Sequence, residues 1–284
     1  MNLSVIILNY NTKNLLQKCL ESVYLSRTNF QFEVLVSDNG SADGSVEMVR
    51  QDFPQAILIE NNANLGFSAG NNVAIKRATG RNILLLNSDT TVQTDTIDGT
   101  IGYLESHPDV GVVGCKVLLP SGELHQASRR KFPDPANAFL RLFGLRKFSD
   151  YNYRNVPVDR EMEVDSVVGA FLMIRRSVID QIGLLDEDFF MYGEDLDWCW
   201  RVKEAGFKVV YYPAVQITHY LYGSSKNIAF KTIRRAHDAM KIFYRKHYSE
   251  KHNWFFNQLV YFGINIRMYL VLMVNLFRNK KTVH

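Results

Sequence analysis

Scarcity narrows the choices first. The chain holds three cysteines in 284 residues, Cys19, Cys115 and Cys199, each alone among apolar or amphipathic neighbours and none in a CxxC spacing. That excludes a disulfide framework and a cysteine zinc site, and predicts three reduced core thiols in a cytoplasmic protein. Residues 1–8 carry no basic stretch and only a short apolar run, so a first strand is expected there and not a signal peptide. Proline is also sparse, seven in all, and Pro120, Pro133, Pro135 and Pro157 fall in one stretch. With 46% hydrophobic residues the chain can bury a large core, which argues against disorder.

The net charge of +4 conceals an asymmetry. From Lys226 onward twelve Lys and Arg face two acids, Asp238 and Glu250, a balance of +10 that leaves −6 for residues 1–225. A basic tail behind a mildly acidic body suits an anionic membrane surface or nucleic acid. No base-reading motif is interleaved with the basic residues, so nucleic acid is not expected as a partner.

Ile83 to Leu86 is a continuous apolar run, the pattern of a strand covered on both faces, and it stops at Asn87-Ser88-Asp89. Asp89 is therefore expected at a strand's carboxyl end, the edge where open α/β sheets bind ligands. A carboxylate there suits a hard divalent cation carrying a phosphorylated substrate. The alternative is a plain helix cap, since Ser88, Asp89 and Thr90 precede a helical pattern over Val92 to Tyr103.

The same rhythm recurs along the first third. Leu3 to Leu8 leads to Asn9-Tyr10-Asn11, with Thr12 as N-cap for a helix striped by Leu15, Leu16, Cys19, Leu20 and Val23. Phe32 to Val36 leads to Ser37-Asp38-Asn39-Gly40, where a turn accounts for Gly40 and Gly44 and a cap for Asp43. Asp38 is left to accept from a base N–H or ribose hydroxyls. Ala56 to Glu60 precedes an amide- and glycine-rich segment, Asn61 to Asn72, whose small residues at a helix start let the backbone approach phosphate. Four strand–helix alternations predict an α/β fold with a right-handed, doubly wound, mostly parallel sheet flanked by helices.

After Val110 to Leu118 the rhythm breaks. Residues 119–165 form a connection with a basic knot at Arg129-Arg130-Lys131, and a connection that long is expected to be a functional loop on the acceptor side. Val164 to Val168 reads as a strand, and Gly169-Ala170 as the opening of a helix through Ile182. Glu194, Asp195 and Asp197 then cluster at a helix start among aromatics; three acids suit the helix dipole, and desolvated carboxylates also suit a base. Strands at Lys208 to Tyr211 and Val215 to Thr218 deliver His219 to another strand end, where it becomes a candidate ligand beside Asp89.

Seven ordered segments carry a resemblance: VIILNYN at 5–11, VSDNGSADGS at 36–45, NANLGFSAGNN at 62–72, LLLNSDT at 84–90, VVGAFLMIRR at 167–176, YGEDLDWCWR at 192–201 and HYLYGSS at 219–225. Over roughly residues 3–225 the chain resembles the family 2 glycosyltransferases of GT-A fold, most of all their bacterial rhamnosyltransferase-like branch. The resemblance implies a GT-A catalytic domain over 1–225, with a nucleotide-sugar half to about 118 and an acceptor half from 119, followed by a helical appendage over 226–284. It implies that Asp38 contacts the base of a dTDP- or UDP-sugar with Leu8 and Tyr10 shaping the pocket, and that Asn64, Gly66, Asn72 and Ser88 lie on the nucleotide. Asn87-Ser88-Asp89 stands where the family has Asp-x-Asp, so Asp89 and His219 would hold Mn²⁺ or Mg²⁺ with one carboxylate replaced by an amide. Asp195 matches the catalytic base, with Glu194 as its alternative. Gly169, Ala170, Trp198, Arg129, Gly223 and Ser225 are expected on the acceptor and diphosphate side. The implied activity is inverting, metal-dependent transfer of one sugar, rhamnose from dTDP-rhamnose by branch, to a hydroxyl of a cell-surface glycan or lipid-linked acceptor. A processive polysaccharide synthase is disfavoured because Gln126-Ala127-Ser128-Arg129-Arg130 lacks the Trp of a Gln-x-x-Arg-Trp motif. A catalytically silent sugar-nucleotide binder is disfavoured by the presence of both Asp89 and Asp195.

The tail carries its own pattern. Residues 227–249 read as a basic helix with Ile228, Ile233, Met240, Ile242 and Phe243 on an apolar side, and Trp254 to Phe277 as an almost wholly apolar one closed by Arg278, Lys280 and Lys281. That second segment is long enough to span a bilayer. Arg267 at mid-span costs about 2.5–3.5 kcal/mol there, so a helix lying in the inner membrane surface is expected, or else a hairpin packed on the catalytic domain or on a homodimer partner.

Overall fold

The apolar runs become the central strands. In the computed structural model, which describes residues 1–133, 150–221 and 229–276, β1 (Leu3–Asn9), β2 (Phe32–Asp38), β3 (Ile57–Glu60) and β4 (Asn82–Asn87) alternate with α1 (Lys13–Tyr24), α2 (Ser45–Asp52) and α3 (Phe67–Arg77). They pair in parallel, with β1 between β2 and β4 and β3 outside β2. Along β1, Val5 and Ile7 join a core with Leu16, Leu20 and Val49, while Ile6 joins a second core with Ile75, Trp198 and Val202. Side chains alternate across a strand, so a sheet with a core on each face needs an apolar residue at every position. This is why Val5–Leu8, Val34–Val36 and Ile83–Leu86 read as unbroken hydrophobic runs.

The chain continues through β5 (Thr90–Val92), α4 (Thr96–Ser106), β6 (Val110–Leu118), β7 (Arg129–Arg130), β8 (Met162–Glu163), β9 (Ser166–Val167), β10 (Phe171–Arg175), α5 (Arg176–Ile182), α6 (Glu194–Glu204), β11 (Lys208–His219), α7 (Ala229–His247) and α8 (Trp254–Leu276). Among the described residues nine strands form the main sheet, in the order β3-β2-β1-β4-β10-β6-β11-β5 with β8 added on β11, and β7 pairs with β9 in a separate ribbon. β10 runs antiparallel to both β4 and β6. The expected α/β sheet flanked by helices is present, parallel in its first four strands and mixed beyond them.

Three local expectations are corrected. Gly169-Ala170 opens no helix; Phe171 to Ile174 is wedged between two strands and is held extended as β10, and the helix waits until Arg176. Thr90 to Val92 extends as β5 and α4 starts only at Thr96, so Asp89 caps no helix. Lys208 to His219 is one strand, irregular in register between Tyr212 and Gln216, where Pro213 has no N–H for the ladder.

α7 docks on the sheet's helical layer. Ala239 and Phe243 pack with Phe189 and Leu196 in a third core, and the Arg235 guanidinium sits 3.8 Å from the centroid of the Phe190 ring.

Candidate active site

Register brings the polar strand tips to one edge. Asn9 lies opposite Asp38, Leu8 opposite Asn87, and His219 opposite Thr90. Because β5 leaves β4 through Ser88 and Asp89 and crosses to pair with β11, Asp89 meets His219: Nε2 is 3.0 Å from Asp89 Oδ1, and the Tyr220 N–H donates to the Asp89 carbonyl. Both side chains are buried, and His219 Nδ1 has no hydrogen-bond partner. The His125 ring stands edge-on to His219 with centroids 5.3 Å apart. One carboxylate and one imidazole with an unspent nitrogen fit Mn²⁺ or Mg²⁺ completed by substrate phosphate oxygens. Among the described residues no group of three or more His, Cys, Asp or Glu is gathered as a metal site.

The three acids at the start of α6 meet three different fates. Asp195 Oδ2 accepts from Arg130 Nη2 at 2.8 Å and from the Gly169 N–H at 3.0 Å. Glu194, one residue earlier, is equally buried, but its Oε2 has no partner. Burial, and then the charge of Asp195, push its carboxyl up to about 8. Asp197 is wholly buried and saturated: Arg201 binds Oδ2, and Lys246 and His247, both from α7, bind Oδ1 at 2.9 Å. Burial alone would raise Asp197, but the His247 hydrogen bond, Arg201 and Lys246 outweigh it and hold the carboxyl at about 2. The third acid fastens α7 to α6.

A chain of contacts joins the acid pair to the Asp89 edge. Gly169, bonded to Asp195, precedes Ala170, whose carbonyl accepts the N–H of Asn87 at 3.1 Å, two residues before Asp89. A Cβ at Gly169 would stand 3.5 Å from Phe67 Cζ and 3.6 Å from Asp195 Cβ, so the start of α3 borders the same place.

The residues expected at the nucleotide divide. Leu8 and Tyr10 are partly exposed at the edge, and Ser88 Oγ lies 2.9 Å from Thr12 Oγ1. Thr12 forms no side-chain cap on α1; Asp43 takes that position by accepting the Lys13 N–H. Asp38 sits in the edge but is engaged, Oδ1 accepting the Gly40 and Ser41 N–H groups and Oδ2 the Asn9 amide. Asn64 is exposed and accepts the Gly66 N–H, and Gly66 adopts φ +87° with the Phe190 carbonyl 2.5 Å from where a Cβ would lie. Only glycine fits that close, left-handed turn.

Three expected site residues are structural. Asn72 is buried and holds the Leu185 backbone through both ends of its amide and Glu187 through its nitrogen, so it cannot reach a nucleotide. Trp198 is fully buried in the second core and donates its indole N–H to the Gly183 carbonyl. Arg129 is buried beneath Tyr211 and donates to the carbonyls of Val156 and Pro157. Its neighbour Arg130 is the one that reaches Asp195. In a strand consecutive side chains face opposite ways, and that alternation across β7 was the available signal in the basic knot. His125 carried no such signal. Gly223, Ser225 and most of the stretch 134–155 lie outside the described residues.

Comparison with known proteins gives the family and the fold. Residues 4–183 match the profile of glycosyl transferase family 2. An N-acetylglucosaminyl-diphospho-decaprenol L-rhamnosyltransferase of Mycobacterium tuberculosis is 28% identical over 233 residues, covering 77% of this chain and 76% of that protein. The rhamnosyltransferase WbbL of Escherichia coli is 27% identical over 240 residues, with 81% and 88% covered. Among solved structures, a Pyrobaculum calidifontis mannosyltransferase in complex with GDP-Man and Mn²⁺ superposes with TM-score 0.60 at 19% identity, over 86% of this chain and 64% of that one. Staphylococcus aureus TarS with UDP-GlcNAc gives 0.61 at 16% identity, over 95% and 73%. The fold is that of the GT-A glycosyltransferases, and the chain belongs to glycosyl transferase family 2 as a rhamnosyltransferase-like enzyme.

Proposed function

We propose that the protein transfers a single rhamnose, with inversion, from dTDP-rhamnose to a hydroxyl of a lipid-linked or cell-surface glycan at the inner face of the cytoplasmic membrane. The observation that carries this reading is the Asp89–His219 contact on the same sheet edge as the Asp195–Gly169–Ala170–Asn87 chain. Named rhamnosyltransferases among the relatives support the donor sugar, and the decaprenol in one relative's name supports a lipid-linked acceptor.

In this reading Asp89 and His219 hold the divalent ion. When bound, Mn²⁺ or Mg²⁺ supplies charge neutralisation to the departing diphosphate, worth several kcal/mol. Asp195 takes the proton from the acceptor hydroxyl, a contribution of roughly 10²- to 10⁴-fold. Arg130 orients Asp195, and the Gly169 N–H fixes the oxygen that Arg130 binds. Glu194, with its carboxyl up at about 8, stays protonated at neutral pH and adds no negative charge beside a doubly negative donor. The sugar's anomeric carbon is attacked opposite the leaving diphosphate, and no covalent sugar–enzyme bond is needed.

A panel of nucleotide sugars, assayed for nucleoside diphosphate release with and without Mn²⁺, tests this. The expected result is Mn²⁺-dependent release, highest with dTDP-rhamnose. Release from no donor, or release indifferent to chelation, contradicts it.

A further inference from the structure

α8 is built inside out. Three of its polar residues turn toward the protein: Arg267 Nη1 lies 2.9 Å from His237 Nε2 of α7, Asn257 accepts the Tyr244 hydroxyl at 2.7 Å, and Asn275 is buried. Its large apolar residues turn away. Phe255 and Phe262 are 65% and 62% exposed, and Leu259, Ile266, Leu270 and Met273 continue the stripe at helical spacing. A helix meant for water on its outer side has the opposite arrangement, and exposed apolar stripes of this extent mark interaction surfaces.

The geometry points to this stripe as a membrane-docking face that lies in the headgroup layer of an anionic bilayer, parallel to the surface. Charge selects the occupant. No acidic residue follows Glu250, whereas Lys251, Arg267, Arg278, Lys280 and Lys281 do, within a tail whose balance from Lys226 is +10. Anionic headgroups reward that charge, while a second copy joined through the same face would bring two such tails together. Length and composition permit a crossing helix, but a crossing would strip the Arg267–His237 and Asn257–Tyr244 bonds and leave Arg267 in hydrocarbon. Lying flat keeps those bonds and buries only the stripe. Trp254 and Tyr269, both exposed, are the residue types that settle at the headgroup level.

The docking face is geared to the chemistry. α8 is bonded to α7, and α7 is fastened through Lys246 and His247 to Asp197, two residues from Asp195. Bilayer contact thus fixes the acid pair relative to the surface from which a lipid-linked acceptor presents its hydroxyl. This last point rests on the acceptor reading above; the docking itself does not.

Flotation of the full chain decides it, using vesicles of phosphatidylcholine with about 30% phosphatidylglycerol against phosphatidylcholine alone. The protein is expected to float with the anionic vesicles, less so at high salt, and the combined variant F262Q/I266Q/L270Q to lose at least about tenfold in partitioning. All three side chains are exposed, so the variant keeps its fold, checked by unchanged nucleoside diphosphate release from the sugar nucleotide in solution. A wild-type chain that stays in the dense fraction with both vesicle types overturns the proposal, as does a vesicle-independent dimer that the triple variant converts to monomer. The two readings fail separately: flotation without any donor turnover defeats the glycosyl-transfer assignment alone.

Discussion

Two buried carboxylates on the first turn of α6 show how differently one stretch of chain can be used. Asp197 faces α7, where every lone pair is met by Arg201, Lys246 or His247, and its proton leaves at about 2. Glu194 keeps an unpartnered buried oxygen, and its proton stays until about 8. Sequence position and residue type are nearly the same; partners differ. A fully paired acid serves as an anchor, whereas an under-paired one holds its proton.

Breaking the site side should have the largest effect. Asp89→Ala removes the carboxylate of the ion-holding pair, so donor binding should lose its Mn²⁺ dependence. Turnover should fall by at least about 10²-fold, since the charge stabilisation at stake is several kcal/mol and each 1.36 kcal/mol is tenfold. Donor titrations with and without chelator read both.

Breaking the anchor side should cost stability and leave donor chemistry in place. Asp197 is held below its ordinary value of 3.8, so its stabilisation is complete above pH 4 and is lost as pH falls toward 2. Asp197→Asn should lower unfolding free energy by about 2 kcal/mol at pH 7 and flatten the acid limb of a denaturation series. Nucleoside diphosphate release in solution should survive.

The smallest effect sharpens the contrast. Glu194 is raised from 4.5, so between 4.5 and about 8 the folded state keeps a proton that the unfolded state has lost, and stability falls as pH rises through that window. Glu194→Gln should keep near-normal turnover at pH 7, abolish any change in rate centred near pH 8, and make the fold less sensitive to alkali. A wild-type rate that climbs through pH 8, together with turnover lost at every pH in Glu194→Gln, would move the base from Asp195 to Glu194.

Much of this was legible before any coordinates. The apolar runs gave β1, β2 and β4 nearly to the residue because burial on both faces calls for such runs, and their polar tips marked the edge that holds Asp89 and His219. Phe171 to Ile174 misled, since a short apolar run after two small residues fits a helix as well as a strand and only the neighbours β4 and β6 decide. Asn72, Trp198 and Arg129 were misjudged for a related reason: an amide, an indole and a guanidinium serve a ligand and a backbone carbonyl equally well, and the partner is set by the fold. The inward turn of Arg267 was likewise invisible, because composition shows an arginine in an apolar segment and not the His237 that receives it.

The account rests on Asp195 acting chemically at the edge that Asp89 and His219 define. Measuring donor affinity and single-turnover transfer on one preparation of Asp195→Asn tests this directly. Donor affinity within a few-fold of wild type together with a transfer rate lower by at least about 10²-fold is the expected result. Near-normal transfer, or affinity and rate falling together, would contradict it.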